Sequence, residues 1–325
     1  MTTISGIDRK EAETLMRERA PEAIYELIYR AGKVRQQHCG NRVHTCAIVN
    51  AKSGNCGENC AFCPQSVHAS SQIDKYPLKS SEELMEKAIE AETNHACSFG
   101  IVTSGRAVRD TKEIEVICRT ISAISTRNGI GPCVSLGTVS RDCLKQLKAA
   151  GCQSYHHNLE TSAGYYPKIC TTRTFEDNVR TVKDAKEMGF KVCSGGLFGM
   201  GESDEQRVDL LATLREIEVD SVPVNFLNPI PGTRISNMAK PMSPLECLKI
   251  IAVARLMLPA VQIRICGGRE LNLRDMQSWI FAAGASALMI GSYLTSSGRN
   301  VEDDMQMITD AGMVIAPQGG CGGLY

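Results

Sequence analysis

The feature that most restricts the fold of this 325-residue chain is a regular alternation of two hydrophobic patterns. Short runs rich in β-branched and apolar residues alternate with longer windows in which apolar residues recur every three or four positions. The first pattern is typical of buried strands and the second of amphipathic helices. Eight runs have the length of strands: Val43–Val49, Ser98–Thr103, Pro132–Leu136, Tyr155–Leu159, Lys191–Ser194, Val222–Leu227, Val261–Cys266 and Ala287–Ile290. Eight strands with helices between them predict an α/β fold, a (β/α)8 TIM-type barrel, with an open doubly wound sheet as the alternative.

Several helical windows have recognisable ends. The segment Ser80-Ser81-Glu82-Glu83 has the spacing of a capping box, so a helix is predicted to begin there. Gly189 and Gly284 stand where helices are expected to stop. Further helices are predicted over Asp142–Ala150, Glu176–Met188, Asp204–Ile217, Pro244–Met257 and Leu273–Ala283.

The chain shows no low-complexity linker that would divide it into separate domains. Residues 1–40 are expected to form helices packed on the barrel, residues 41–300 the barrel itself, and residues 301–325 a C-terminal helix and a Gly-rich tail. In such a barrel the reactive groups belong at the carboxyl ends of the strands and in the loops that follow them.

Charge and cysteine content limit the class of protein. The 36 Lys and Arg residues balance the 36 Asp and Glu residues, so no overall positive field attracts nucleic acid or an anionic membrane. The sequence contains no apolar stretch of about 18 residues and no signal peptide pattern, so a cytoplasmic location is expected. In that compartment, 15 cysteines indicate buried thiols or metal ligands rather than a disulfide framework.

Three of these cysteines lie close together, directly after the first predicted strand. Cys56, Cys60 and Cys63 can all face one point, as an iron–sulfur cluster or a zinc ion requires. A structural zinc site normally has four protein ligands, and His68 would complete one. Three thiolates on a [4Fe–4S] cube would instead leave one iron open to a cofactor or substrate.

The same segment carries a resemblance to a known family. The spacing Cys-x3-Cys-x2-Cys after the first barrel strand is the signature of radical S-adenosylmethionine (SAM) enzymes, and the wider string AKSGNCGENCAFCPQS resembles the biotin synthase family. The likeness continues, in order, through TSGR, SLGT, HHNLETS, TTRT, KVCSGGLFGMGE, SVPVNFLNPIPGT and RICGGRE, so that it covers residues 40–300.

The resemblance implies an enzyme whose [4Fe–4S] cluster, held by the three cysteines, binds SAM and cleaves it to a 5′-deoxyadenosyl radical. The family inserts sulfur into unactivated C–H positions of dethiobiotin, with an auxiliary iron–sulfur cluster as the donor. The protein is then expected to orient the cofactor and exclude water. The implied partners are a flavodoxin or ferredoxin reductant, the iron–sulfur assembly and cysteine desulfurase machinery, and a second copy of the chain in a homodimer. Oxygen-sensitive clusters suit an anaerobic cell.

The resemblance also implies roles for individual residues. Those expected to contact SAM are Phe62, Ser104, Asn158, Glu160 and Leu197, and those expected to contact the substrate are Asn158, Asn225, Ser296 and Ser297. The glycines around Leu197 have a second interpretation, since a tight turn needs them with or without a ligand. Asn178 stands where an arginine often binds the SAM carboxylate, which leaves Arg173 and Arg180 as nearby candidates.

The auxiliary cluster is the point at which the sequence departs from the family. The usual [2Fe–2S] form has three cysteines and an arginine; Cys133, Cys193 and Arg264 match, but Gly100 replaces the cysteine of the second strand. Cys266 lies two residues after Arg264 and therefore shares its inward face. The hypothesis is a 4Fe cluster on Cys133, Cys193 and Cys266, whose free iron could carry an extra sulfide. A [2Fe–2S] cluster, with Cys266 as a plain buried thiol, is the alternative.

Two further cysteines are weaker candidates for this cluster. Cys97 lies three residues before Gly100, an odd offset that turns it to the opposite face of the strand. Cys321 lies in the Gly-rich tail and is an outside candidate for a fourth ligand.

Two alternative functions stay open at this stage. One is another enzyme of the superfamily, which acts on a small amino acid or a metallocofactor precursor without sulfur insertion. The other is a non-catalytic iron–sulfur or zinc scaffold that carries electrons. The expected substrate asparagines and the string NPIPGT favour the biotin synthase family over the first, and production of 5′-deoxyadenosine would exclude the second.

Overall fold

The computed structural model describes residues 6–237 and 240–317. Each barrel strand pairs in parallel with its neighbour, and the barrel closes because β1 pairs with both β2 and β9. β5 and β6 are two halves of one barrel strand. The predicted (β/α)8 fold is therefore confirmed, and the open doubly wound sheet is wrong. The strands are β1 (Arg42–Lys52), β2 (Ser98–Thr103), β3 (Gly131–Ser135), β4 (Ser154–His156), β5 (Lys191–Cys193), β6 (Gly196–Phe198), β7 (Ser221–Phe226), β8 (Gln262–Ile265) and β9 (Ala287–Met289).

The predicted strands differ from the observed ones mainly at the fourth and fifth positions. Regular pairing of β4 ends before Leu159, and the second half of the fifth barrel strand, β6, was not predicted. A Cβ atom on Gly195 would lie 2.0 Å from the carbonyl oxygen of Pro223, and one on Gly196 would lie 2.6 Å from that of Glu160. The backbones approach so closely here that the strand breaks and only glycine fits.

Side chains on the barrel strands alternate between the surrounding helices and the barrel interior. On β1, Val43 and Val49 belong to the hydrophobic core under the helices, whereas His44 and Cys46 line the interior. Bulky aliphatic side chains usually fill the interior of a TIM barrel. Here histidine, serine, cysteine and arginine side chains surround a cavity instead.

The helices carry the expected end signals. Ser80 and Glu83 form the predicted capping box, and the helices predicted over Asp204–Ile217 and Pro244–Met257 have those bounds. Gly189 and Gly284 both follow helices with positive φ angles, of 77° and 112°. The α-helices are α1 (Arg9–Met16), α2 (Pro21–Cys39), α3 (Ser81–Thr93), α4 (Thr111–Arg127), α5 (Arg141–Ala149), α6 (Tyr166–Ile169), α7 (Phe175–Glu187), α8 (Asp204–Ile217), α9 (Pro244–Met257), α10 (Arg269–Leu273), α11 (Trp279–Ala282) and α12 (Val301–Asp310).

The helix predicted over Leu273–Ala283 is wrong. The chain forms α10 and α11 there, separated by a short 3-10 helix at Arg274–Met276. Arg274 has a φ of 48°, which a continuous right-handed helix cannot contain. The side chain of Asn272 binds the amide of Met242 (2.7 Å) and the carbonyl of Leu227 (3.1 Å), so tertiary hydrogen bonds override the helical pattern.

The two ends of the described chain pack on the barrel. Helix α1 contacts α8 and α9, and α2 contacts α9 and α11. An unpredicted short strand, β10 (Val314–Ile315), pairs with the start of β1. Cys321 lies outside the described residues. Within residues 6–237 and 240–317, no helix is both long and apolar enough to cross a membrane.

Candidate active site

The first predicted cysteines occupy the loop that leaves β1. Cys56, Cys60 and Cys63 are half-buried, and backbone hydrogen bonds shape their loop: the amide of Cys63 donates to the carbonyl of Cys60 (3.1 Å), and that of Cys56 to the carbonyl of Gln65 (3.0 Å). Burial, together with the nearby Cys56 thiol, raises the pKa of Cys63 to about 11. Such a thiol stays protonated at neutral pH unless a metal binds it. The three predicted thiols therefore share one loop, and Cys63 is near enough to Cys56 and Cys60 for their charges to interact, but among the described residues no three His, Cys, Asp or Glu side chains are already gathered around one metal position.

Two neighbouring loops hold the cysteine loop in place. The hydroxyl of Thr172, in the loop after β4, donates to the buried carboxylate of Glu58 (2.7 Å). The hydroxyl of Ser104, after β2, donates to the carbonyl of Gly54 (2.6 Å). Ser104, which was expected at SAM, therefore contacts the backbone that carries the cysteines.

Cys170 is a cysteine of this region that the sequence did not reveal. Its thiol forms a hydrogen bond with that of Cys60, which raises the pKa of Cys60 and lowers that of Cys170. It also lies 3.9 Å from Oε2 of Glu58. Because Cys170 is far from Cys60 along the chain, no local spacing could have linked the two.

A cavity of about 660 Å³ occupies the barrel interior. Charge interactions of Cys63 with Glu160 and of Cys60 with Arg173 put the cysteine loop at the end of the cavity where those two partners lie. Ser297 is exposed and does not line the cavity. The predicted site residues that line it are Cys133, Asn158, Glu160, Cys193, Asn225, Arg264, Cys266 and Ser296.

Glu160 has the geometry of a functional residue. Its φ of 69° is rare for a non-glycine residue, and such strain concentrates at binding sites. The side chain faces the cavity away from bulk solvent, and burial raises the pKa of its carboxyl. Asn158 hydrogen-bonds this carboxylate, and the backbone amide of Leu197 donates to the Glu160 carbonyl (2.8 Å). The predicted pairing of Asn158 and Glu160 on one face is thus present, with Leu197 beside them.

The turn that follows Leu197 is built around one carboxylate. Glu202 accepts hydrogen bonds from the amides of Gly199 and Met200, both at 2.8 Å, and forms an ion pair with Arg207 (2.9 Å). Because the turn is fixed from within, its position does not depend on a ligand. Leu197 and Phe62 are both partly buried against the hydrophobic core.

The two asparagines expected to contact the substrate also hydrogen-bond backbone groups at or beside strand ends. Asn225 accepts from the amide of Gly267 (3.1 Å) and donates to the carbonyl of Gly196 (3.2 Å). Asn158 accepts from the amide of Gly195 (3.2 Å). These contacts fix the orientation of both amides at the cavity wall.

The three residues considered as partners of the SAM carboxylate lie in different environments. Asn178 is fully buried and hydrogen-bonds His157 (3.0 Å) and Tyr166 (3.1 Å). Arg180 is largely exposed and pairs with Asp177. Arg173 lines the cavity, where its Nε donates to the hydroxyl of Tyr166 (3.3 Å). Arg173 is therefore the candidate that faces the site.

The second predicted set lies inside the barrel. The thiols of Cys133, Cys193 and Cys266 line the cavity together with Arg264, whose buried Nε atom has no hydrogen-bond partner. A Cβ atom on Gly100 would lie 3.3 Å from the Sγ atom of Cys133. Thiols around an unpaired guanidinium nitrogen fit an anionic iron–sulfur cluster, because each buried positive charge needs a partner.

A fourth thiol, that of Cys46, belongs to this set and was missed. It is buried on β1 and lies beside the Arg264 guanidinium. The signal in the sequence was the even spacing from the inward position His44, but only the closed barrel brings β1 near β8, with β9 between them. The prediction that Cys97 faces away from the interior is wrong: it lines the cavity where β2 begins, contacting Thr45 (3.5 Å) and the carbonyl of Ala316 (3.4 Å).

Comparison with known proteins decides between the possible families. The sequence profile of the Radical SAM superfamily matches residues 51–214, and that of the Biotin and Thiamin Synthesis associated domain matches residues 223–314. Biotin synthase from Geotalea daltonii is 49% identical over 294 residues, which span 90% of this chain and 89% of that protein. The chain belongs to the biotin synthase family. Biotin synthase from Geobacter sulfurreducens, 48% identical over 311 residues, covers 96% of this chain and 94% of its own length.

Solved structures show how widely the fold of this biotin synthase family member is shared. Methylornithine synthase has a TM-score of 0.82 at 23% identity, covering 96% of this chain and 95% of that one. The FeFe-hydrogenase maturase HydG from Carboxydothermus hydrogenoformans has a TM-score of 0.83 at 21% identity, covering 98% and 77%. At such identities the likeness concerns the fold alone.

Membership of the biotin synthase family and of the Radical SAM superfamily makes this chain a radical SAM enzyme that uses a [4Fe–4S] cluster and SAM. The donor set fits the cluster, since three thiols share one loop at the end of the cavity. Gly105, with a φ of 111°, also lines the cavity, and a Cβ there would meet nothing within 4 Å. The open space beside it gives a cofactor room to approach.

Proposed function

We propose that this chain is a radical SAM sulfurtransferase that converts dethiobiotin to biotin, with the inserted sulfur taken from an auxiliary cluster inside the barrel. One observation carries the proposal: cysteine thiols lie at two separate places, around Arg264 in the cavity wall and on the loop after β1, where Cys60 and Cys63 interact with the cavity-lining Arg173 and Glu160. The two groups suit the two tasks of the reaction, which are radical generation and sulfur supply.

The cluster and SAM supply, when bound, a 5′-deoxyadenosyl radical able to attack C–H bonds that no general base can ionise. Cys56, Cys60 and Cys63 hold the cluster. Arg173 offers a positive charge for the SAM carboxylate, at the end of the cavity where it already faces the cysteine loop.

Residues of the cavity wall, together with Phe62 and Leu197 outside it, orient the rest of SAM and the substrate. Asn158 and Glu160 bind the ribose hydroxyls, and Phe62 and Leu197 flank the adenine. Asn225, with Asn158, hydrogen-bonds the ureido ring, whose N–H and C=O groups suit an amide partner. Ser296, rather than the exposed Ser297, lies where it can reach the substrate carboxylate.

The sulfur donor is a 4Fe cluster held by Cys133, Cys193 and Cys266, with Arg264 beside it to balance its negative charge. Gly100 supports this choice over the [2Fe–2S] alternative, because it removes one ligand of the usual set. A sulfide on an iron without a protein ligand could leave without dismantling the cube.

Other features of the proposal rest on the family resemblance. The electrons come from a reduced flavodoxin or ferredoxin, replacement sulfur comes through iron–sulfur assembly and cysteine desulfurase proteins, and the chain works as a cytoplasmic homodimer. Deep thiols and two clusters favour an oxygen-poor cell.

The function is tested by anaerobic turnover of the reconstituted protein with SAM, dethiobiotin and a chemical reductant. The expected products are biotin and about two 5′-deoxyadenosine molecules per biotin, one for each C–H bond attacked. Production of 5′-deoxyadenosine with dethiobiotin left unchanged would contradict sulfur insertion and favour an enzyme acting on a different small molecule. Failure to make 5′-deoxyadenosine would favour an electron-carrier scaffold.

A further inference from the structure

Cys46 and Cys266 occupy equivalent positions on either side of one barrel strand. Cys46 pairs with Met289 of β9. Ile265 pairs with Leu288, so the next residue, Cys266, stands level with the same Met289. Two strand spacings separate the two backbones by about 10 Å. Both residues line the cavity, and their thiols are near enough for their charges to interact.

Arg264 links these two thiols to the predicted cluster site. Its guanidinium lies beside the thiol of Cys46 and is close enough to Cys193 and Cys266 to interact with their charges. Its Nε atom is buried without a hydrogen-bond partner. A buried, incompletely paired cation at this place would balance the negative charge of an iron–sulfur cluster held by the surrounding thiols.

The space around Gly100 favours a cluster ligand from β1 over one from β2. Gly100 pairs with Ile48 on one side and with Cys133 on the other. A Cβ at position 100 would lie 3.0 Å from Cγ2 of Ile48, so a cysteine there would crowd its neighbour. Cys46 lies two residues before Ile48 on the same inward face, and its side chain can reach the space that a ligand from β2 would have served.

We infer that Cys46 is a fourth thiolate ligand of the auxiliary cluster, together with Cys133, Cys193 and Cys266; this inference rests on the proposed sulfur-donor function. Four cysteines are the usual ligand set of a [4Fe–4S] cube. Cys46 would then be the ligand of the iron that the other three cysteines leave open, and an extra sulfide could bind that iron only in place of Cys46.

The plain alternative is that Cys46 is a small apolar residue in a packed strand. That role is typical of the other face of β1, where Val43 and Val49 pack in the hydrophobic core. Cys46 instead faces a cavity and contacts a guanidinium, which is an unusual environment for a thiol that serves only to fill space.

The test isolates the auxiliary cluster by replacing all three cysteines of the first site with alanine (Cys56→Ala, Cys60→Ala, Cys63→Ala) in the full chain. Anaerobic reconstitution of this protein is expected to give about four irons and four sulfides per chain. Mild stepwise oxidation is then followed by electron paramagnetic resonance, because a cube with one open iron loses that iron and becomes a 3Fe centre with its own signal.

The parent protein is expected to resist conversion, since Cys46 caps the fourth iron. Adding Cys46→Ala is expected to produce the 3Fe signal with loss of about one iron in four. Cys143→Ala, which removes a buried thiol of α5, is the control and should behave as the parent, and Cys97→Ala tests the other cysteine that lines the cavity, directly before β2. Cys46→Ser provides a second variant, of nearly unchanged volume, should the alanine protein fail to fold.

The other possible outcomes would each contradict one part of the proposal. Equal conversion of the parent and Cys46→Ala proteins would overturn Cys46 as a ligand while leaving the 4Fe sulfur donor intact. Conversion caused by Cys97→Ala alone would assign the fourth position to Cys97. About two irons with a two-iron Mössbauer spectrum would overturn the 4Fe cluster itself, and with it a fourth thiolate. An absence of bound iron would overturn the proposed function.

Discussion

The hydroxyl of Thr172 donates a 2.7 Å hydrogen bond to Oε2 of Glu58 and so ties the loop after β4 to the cysteine loop after β1. Glu58 lies between Cys56 and Cys60 in the chain, and its carboxylate is buried. Arg173, the cavity-facing cation, is the next residue after Thr172. This contact therefore joins the cysteine loop to the segment that carries the cavity-facing Arg173.

Thr172→Val is expected to weaken the hold on the first cluster. It leaves a buried carboxylate oxygen without its donor, which costs about 1 kcal/mol and corresponds to a roughly fivefold faster loss of iron to a chelator. The loss is measured from the decay of cluster absorbance under anaerobic conditions. Thr309→Val is the control, because Thr309 bonds only a carbonyl of its own helix, that of Met305. Equal rates in the two variants would contradict a role for the contact.

Glu160→Gln is expected to weaken SAM binding by more than about tenfold, because a charge-assisted acceptor for the ribose hydroxyls contributes about 1.5–3 kcal/mol. Binding is measured by equilibrium dialysis against reconstituted protein, with the iron content checked first. The surface variant Glu187→Gln is the matched control. Unchanged affinity for SAM in Glu160→Gln would show that this carboxylate serves another purpose.

The buried His157 is expected to make the apoprotein less stable in mild acid. Burial lowers the pKa of His157 to about 3, whereas an unfolded histidine titrates near 6.5. The unfolded chain therefore binds a proton between these values that the folded chain does not, and stability falls as pH falls. From pH 7 to about 5.5 the free energy of unfolding should drop by about 1 kcal/mol through this residue, and His157→Gln should remove that part of the slope in urea titrations. An identical slope would contradict it.

Cys266→Ala is expected to separate sulfur supply from radical generation. The auxiliary cluster loses a ligand, so biotin formation should disappear, while 5′-deoxyadenosine formation should stay within about threefold of the parent. Cys143→Ala removes a buried thiol of α5 and is the control. Loss of both activities would show that Cys266 matters for folding rather than for the cluster.

The sequence predicted those parts of the site that lie within one segment or on one strand. Cys56, Cys60 and Cys63 share a loop, and Cys266 shares a face with Arg264, so spacing alone related them. Cys46 and Cys170 escaped prediction because their partners, Arg264 and Cys60, lie on distant segments that only the closed barrel and its loops bring together.

The difference between local patterns and contacts of distant segments also explains which helices and strands were predicted wrongly. Local hydrophobic periodicity predicted α8 and α9 to the residue. It failed over Leu273–Ala283, where Asn272 bonds to segments far away in the chain, and at Gly195, where the backbone of β7 approaches too closely for regular pairing. Tertiary contacts, which no local window contains, decided both places.

The central claim, that the thiols inside the barrel hold the sulfur donor, is tested most directly by isotope transfer. The protein is reconstituted with 34S-sulfide, freed of unbound sulfide, and given dethiobiotin, SAM and reductant for a single turnover. The parent protein is expected to produce biotin that carries 34S, and the Cys193→Ala protein is expected to produce no biotin. Biotin with unlabelled sulfur, or labelled biotin from the Cys193→Ala protein, would contradict the central claim.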